Sequence, residues 1–185
     1  MLVALSGTPG TGKTTIATRL QHSGYQIYNL NELAFKNNFI LGVDTKRQAK
    51  ILDIPKLNRY IKNVFSSREN IIIFEGLATH LLKCMQYIII LRCHPQELTR
   101  RLQQRQWSRE KIKENVEAET LDIILCEATE LHPEQHIFEI DTTAQSVEAC
   151  TQAILEIIHN NFKPIEKYTI GTIDWSEEIL NDYKI

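Results

Sequence analysis

The sequence predicts a three-layer α/β fold, a five-stranded parallel sheet covered by helices on both faces. Two observations carry that expectation. Runs such as residues 71–74 and 87–91 are strand-sized and apolar throughout, as suits strands buried on both faces. Segments with helical spacing alternate with them along the chain, which is the order that builds parallel βαβ units. A length of 185 residues fits one domain and can bury a substantial core.

Each element has its own signal. Residues 2–6 form the first strand and lead into Gly7-Thr8-Pro9-Gly10-Thr11-Gly12-Lys13-Thr14-Thr15. Ile16, Ala17 and Leu20 then recur at helical spacing until Gly24 stops the helix. Residues 26–30 suit a second strand, with Asn29 or Asn31 capping the next segment. Residues 31–60 are polar and irregular. Within them a short helix is expected from about Pro55, because proline fits a first helical turn. Leu57, Tyr60, Ile61 and Val64 would form its apolar face. The strand at 71–74 closes on Glu75-Gly76. After the strand at 87–91, Pro95 opens a helix that runs through Leu98 and Leu102 to about Arg105. Ser108 caps a long helix around which Ile112, Val116, Ile123 and Glu127 lie close together. Residues 137–140 are the fifth strand and residues 147–158 the last clear helix. Residues 162–185 lack a period and contain Pro164 and Gly171; they read as an extended arm packed on the body or on a partner.

Composition narrows the classes. Apolar residues at 43% and charged residues at 24% read as a globular, soluble chain. A net charge of -2 gives no bulk attraction to nucleic acid. No apolar run approaches the ~20 residues of a membrane span, and no signal peptide stands before the first strand. Cys84, Cys93, Cys126 and Cys150 form no C-x-x-C pair and read as reduced thiols in a cytoplasmic protein.

The segment from Gly7 to Thr14 matches G-x-x-x-x-G-K-[ST] in full, with a strand before it and a helix after it. This is the strongest signal in the chain, and it places the fold among the phosphate-loop nucleoside triphosphatases. The glycines permit close backbone approach. The amides of Gly10, Thr11, Gly12, Lys13, Thr14 and Thr15 can form an anion nest at a helix amino end. Lys13 is expected to reach the β- and γ-phosphates of ATP, and the Thr14 hydroxyl to ligate magnesium. Glu75, at a strand's carboxyl end, is the candidate acid beside the metal, holding a magnesium-bound water or orienting the attacking group. Asp141, ending the fifth strand, is a weaker candidate. His80 either faces the phosphates or caps the next segment. Arg100, Arg101 and Arg105 share one short helix; Arg101 and Arg105 are four apart on one face, and Arg109 and Arg92 stand nearby. Such arginines can neutralise a transferred phosphoryl group. Trp107 either stacks on a base or packs in the core.

These residues resemble the atypical adenylate kinases called adenylate kinase isoenzyme six, in their archaeal branch. The resemblance rests on the glycine-rich loop, on Leu91-Arg92, and on Leu102-x-x-Arg105-x-Trp107-Ser108-x-x-Lys111-Ile112-x-x-Asn115-x-x-x-Glu119. Glu127-Ala128-Thr129 and the tail Ile173-Asp174-Trp175-Ser176-Glu177-Glu178 extend it. It implies a nucleoside monophosphate kinase-like fold and transfer of phosphate from ATP to AMP or another nucleoside monophosphate, with possible ATPase activity. Under it, residues 1–161 are the kinase domain and 162–185 a carboxyl-terminal extension. Residues from about 29 to 52 bind the monophosphate and about 104 to 114 form the lid, where Arg105 contacts ATP. It also implies a link to small ribosomal subunit maturation, through a small-subunit ribosomal protein and pre-rRNA. The chain departs from the family at one place. The family pattern has an acid and, two residues on, a histidine; here Glu75 is followed by Leu77. An ATP-gated assembly factor with little kinase activity, or a kinase of a small metabolite such as shikimate or a nucleoside, would use the same loop.

Overall fold

The computed structural model describes residues 1–45 and 49–178. Its centre is a sheet of strands β1 (Leu2–Gly7), β2 (Gln26–Asn29), β5 (Ile72–Glu75), β6 (Tyr87–Arg92) and β7 (Ile137–Asp141), in the order β2-β5-β1-β6-β7. Every neighbouring pair in it is parallel. The five-stranded parallel sheet expected from the sequence is therefore present.

Side-chain alternation along β1 divides the core. Leu2 and Ala4 point to one face, with Leu57, Ile61 and Phe65 of α3 (Ile54–Phe65) and Leu33 of α2 (Leu30–Lys36). Val3 and Leu5 point to the other, with Ile16 and Leu20 of α1 (Lys13–His22) and Ile154 and Ile157 of α7 (Val147–His159). Helices on both faces make the three layers. A smaller cluster joins α4 (Pro95–Gln104) to α5 (Arg109–Thr120) through Leu98, Leu102 and Ile112. Burial outweighs capping in holding these helices. The Asp53 cap of α3 accepts from the Lys56 N–H at 3.0 Å and is worth about 1 kcal/mol, whereas each of its buried apolar side chains contributes roughly 1.5–3 kcal/mol.

The structure corrects three expectations. Residues 31–60 are not irregular throughout: they hold α2 and an antiparallel hairpin of β3 (Ile40–Asp44) and β4 (Ala49–Leu52) before α3. On α3, Val64 is exposed and Phe65 is buried in its place, so the apolar face consists of Leu57, Tyr60, Ile61 and Phe65. The long helix after Ser108 is two helices, α5 and α6 (Ile123–Leu131). Asp122 breaks them with a left-handed backbone, φ +53°, and its carboxylate ion-pairs with Arg92.

The described part of the arm packs on the body. Phe162 is buried and stacks on Tyr87 with ring centroids 4.2 Å apart. Tyr168 Oη donates to Glu156 at 2.8 Å, and Trp175 meets His94 edge-on at 4.9 Å. Residues 179–185 of the expected extension, and residues 46–48 of the expected monophosphate-binding segment, lie outside the described residues. Among the described residues, no helix is long and apolar enough to cross a membrane.

Candidate active site

All five central strands end at one edge of the sheet. Gly7, Asn29, Glu75, Arg92 and Asp141 therefore stand along a single rim, where parallel α/β sheets bind ligands. The loop of residues 7–12 rises from this rim into α1. Gly7 has φ +141°, and a Cβ there would lie 2.5 Å from the Leu91 carbonyl oxygen. At Gly10, φ +101°, a Cβ would lie 2.7 Å from Leu98 of α4. Conformation and space both exclude side chains, so the backbone seats against strand and helix.

Lys13 folds back over this loop. Its Nζ donates to the carbonyl oxygens of Gly7 at 2.6 Å and Thr8 at 3.0 Å. Burial pulls its pKa down to about 8, against the attraction of Glu75 and Glu119, while Arg105 lowers it further. A phosphate here would favour the charged ammonium that loss of hydration disfavours. Thr14 and Thr15, on the first turn of α1, expose their side chains.

Glu75 ends β5 at 4% exposure. Asn29, its partner across the strand pair, donates its side-chain amide to the carboxylate. The Asn29 carbonyl oxygen also accepts from the Glu32 N–H at 2.9 Å, capping α2. One asparagine thus fixes a helix start and a buried acid. The capping role was legible from the sequence; the contact with Glu75 was not.

His80 takes neither of the roles that the sequence allowed. It lies in a single short turn of helix, Thr79–Leu81. Its Nδ1 is 2.9 Å from Ser6 Oγ and its Nε2 is 2.8 Å from Glu127 of α6. It therefore bridges the end of β1 to α6 below the loop. Burial holds its pKa below the usual histidine value despite Glu127. Leu77, two residues after Glu75, is exposed.

The arginines separate into distinct environments. Arg100 forms a two-pronged contact with Glu97, both bonds 2.7 Å. Arg101 bonds Glu97 at 2.8 Å and the carbonyl oxygens of Thr142 and Thr143 at 2.6 and 3.0 Å, pinning α4 to the turn after β7. Arg109 is exposed. Arg105 caps α4, and among the described residues its guanidinium has no hydrogen-bond or ion-pair partner. Arg101 and Arg105 line a cleft of about 310 Å³, with Gly12, Thr15, Gln145 and Val147. Asp141 is turned to its own loop, accepting the Thr143 N–H at 2.8 Å. Trp107 packs beside the α4–α5 cluster, with the Lys111 ammonium 4.1 Å from its ring.

Arg92 does not reach toward phosphate. It is 2% exposed and pairs with Glu119, Glu139 and Asp122. Burial opposes its charge, but Glu119 and Glu139 outweigh that and raise its pKa. Glu119 in turn accepts the Thr8 hydroxyl, inside the phosphate loop. These contacts join residues 27 to 111 positions apart, and local pattern carries no sign of them.

Comparison with known proteins agrees with this geometry. Residues 3–122 match the model of a family described as AAA domain. A protein of Archaeoglobus fulgidus is 42% identical over 97% of this chain and 94% of its own length. One of Methanosarcina barkeri is 39% identical over 95% of this chain and 97% of its own length. Both carry the name "Putative adenylate kinase". Shikimate kinase from Bacteroides thetaiotaomicron superposes with a TM-score of 0.58 at 17% identity, covering 86% of this chain and 98% of that one. The Acinetobacter baumannii enzyme, in complex with shikimate, gives 0.53 at 20% identity over 86% and 93%. At such identities the likeness shows the fold alone. The chain belongs to the AAA-domain family over residues 3–122 and, along nearly its whole length, to the family of these archaeal proteins that carry the name "Putative adenylate kinase".

Proposed function

We propose that the chain transfers the terminal phosphoryl group of magnesium ATP to a nucleoside monophosphate, AMP first, as an atypical adenylate kinase of the isoenzyme-six type. The observation that carries this reading is the placement of Lys13. It lies over a glycine-built loop, within electrostatic reach of Arg105 on the cleft side and of the buried Glu75 on the β5 side. The cleft of about 310 Å³ is at the small end of the range for ligand sites and suits a nucleoside. In this reading Gly10, Thr11, Gly12, Lys13, Thr14 and Thr15 hold the triphosphate, with Arg101 and Arg105 beside it. Residues 29–52 take the acceptor and residues 104–114 close as a lid.

The residues present fit magnesium. Among the described residues no cluster of three histidine, cysteine or acidic side chains forms a metal cage. Magnesium beside a nucleotide takes only one or two protein oxygens and draws the rest from phosphate and water. The exposed Thr14 hydroxyl would be one such oxygen, and Glu75 would act through water. The bound ion would neutralise charge on the phosphate oxygens. Lys13 and Arg105 add positive charge to the group in flight. An acceptor phosphate oxygen attacks the γ-phosphorus, the bond to the bridging oxygen of ADP breaks, and two nucleoside diphosphates leave when AMP is the acceptor. Exclusion of water by the lid would direct transfer to the acceptor rather than to hydrolysis.

A second reading, an ATP-gated factor in small-subunit maturation with ATPase activity, has one supporting observation besides the resemblance. Leu41 and Val43 of the hairpin and Phe35 before it are 66%, 60% and 62% exposed. Apolar side chains so displayed suit a protein partner as well as a substrate. The test is transfer of labelled γ-phosphate from ATP to each of the four common monophosphates and to water. Label on AMP is the expected result. Label appearing only as free phosphate would support the second reading.

A further inference from the structure

Glu119 has no part in the chemistry above, yet it touches the phosphate loop. It lies on α5 at 3% exposure. One carboxylate oxygen accepts from Arg92 Nε at 2.8 Å and from the Cys93 N–H at 3.1 Å. The other accepts the Thr8 hydroxyl. Arg92 also binds Glu139, which is fully buried. The second Glu139 oxygen accepts the N–H of Gly171, in the arm, at 2.9 Å. An unbroken line of polar contacts thus runs from Gly171 through Glu139, Arg92 and Glu119 to Thr8.

The arm reaches the site by a second route. Trp175 packs edge-on against His94, and Glu178 lies 3.5 Å from the same imidazole. His94 is the cap of α4, the helix that carries Arg101 and ends at Arg105. Both routes leave residues 171–178; the first arrives at Thr8 of the phosphate loop and the second at the start of the helix whose far end lines the cleft.

A buried carboxylate that loses a donor has no water to replace it. One guanidinium here serves three carboxylates, and burial raises the pKa of Glu139 and Asp122 against its influence. A shift of Thr8 would leave Glu119 short of a donor, and Arg92 and the carboxylate that holds the arm would have to readjust with it.

We propose that Glu119 is a positioning residue for the phosphate loop, and that through it occupancy of the loop is coupled to packing of the carboxyl-terminal arm. The inference rests on the nucleotide reading above for what fills the loop. Coupling is reciprocal: if the packed arm favours nucleotide, nucleotide favours the packed arm by the same factor.

The test uses the full chain and amide hydrogen exchange, with and without saturating magnesium ATP. Three proteins are compared: wild type, Thr8→Val, which keeps shape and loses the hydroxyl, and Thr8→Ser, which keeps the hydroxyl. Wild type and Thr8→Ser are expected to show slower exchange in both the loop and residues 166–178 when ATP binds. Thr8→Val is expected to keep loop protection, to lose the response of the arm, and to bind ATP about 5-fold more weakly, the lower end of typical coupling. Glu139→Gln should uncouple the arm from its other end. Loop protection in wild type with an unchanged arm would overturn the inference, as would an arm response that survives in Thr8→Val. Failure of ATP to protect the loop in wild type contradicts the proposed function itself and removes the premise of this coupling.

Discussion

Around residues 7–15 the backbone is seated by sterics, with Gly7 and Gly10 pressed against Leu91 and Leu98, and Thr8 tied to the buried Glu119. Across the rim, the β3–β4 hairpin displays its side chains instead: Leu41, Val43 and Ile51 stand 66%, 60% and 47% exposed. The first region is built from main chain and admits few residue types. The second is built from side chains that little else in the chain constrains. A phosphate presents the same charge and shape in every nucleotide, so a backbone nest suffices for it. An acceptor is distinguished only by what touches it, so the region assigned to the acceptor is free to differ among kinases of one fold.

Substitutions should divide along the same line. The largest effect is expected for Lys13→Ala, which should abolish phosphoryl transfer and leave thermal unfolding close to wild type, since the Lys13 ammonium bonds two loop carbonyl oxygens and belongs to no apolar core cluster. Unfolding of that variant would remove the distinction between loop and core. Arg105→Ala should lower turnover by at least ~10²-fold, the scale for losing one transition-state charge partner; near-normal turnover would take Arg105 out of the site. Glu75→Gln should strongly weaken the dependence of rate on magnesium, read from a metal titration.

Smaller effects sharpen the comparison. Free Lys13 has a pKa of about 8, and triphosphate favours its charged form, so binding takes up a proton above that pH. ATP affinity should fall as pH rises past about 8, by up to about tenfold per unit, and Lys13→Arg should flatten the profile. The unliganded protein should respond in the opposite sense. Its Lys13 releases a proton earlier than the unfolded chain does, so this residue's contribution to stability rises with pH between about 8 and the ordinary lysine value of 10.5. Val43→Ser, in the hairpin, should change unfolding free energy by less than about 0.5 kcal/mol while raising the KM for AMP more than that for ATP. Equal changes in the two KM values would place the acceptor elsewhere.

Legibility in the sequence follows the same physics. The five central strands and the loop could be read because apolar runs and glycine spacing are local signals. The hairpin could not, because no residue of β3 or β4 is fully buried; β3 alternates between half-buried and exposed positions and β4 is exposed up to Leu52, so no apolar run marks either strand. The break at Asp122 is hidden because α5 and α6 share one continuous helical periodicity, and the ion pair that accompanies the turn joins residues 30 positions apart. His80 looked like a site residue for its place after Glu75, and only the fold brings Ser6 and Glu127 to its two nitrogens. Of the arginines, sequence named the group but could not tell Arg105, open on the cleft, from Arg101, held by Glu97 and two carbonyls.

Transfer to a monophosphate is decided by separating nucleotides after incubation with magnesium ATP, with and without AMP. Formation of two ADP for each ATP consumed, and only when AMP is present, is the predicted result. ADP and free phosphate forming at one slow rate regardless of AMP would contradict it.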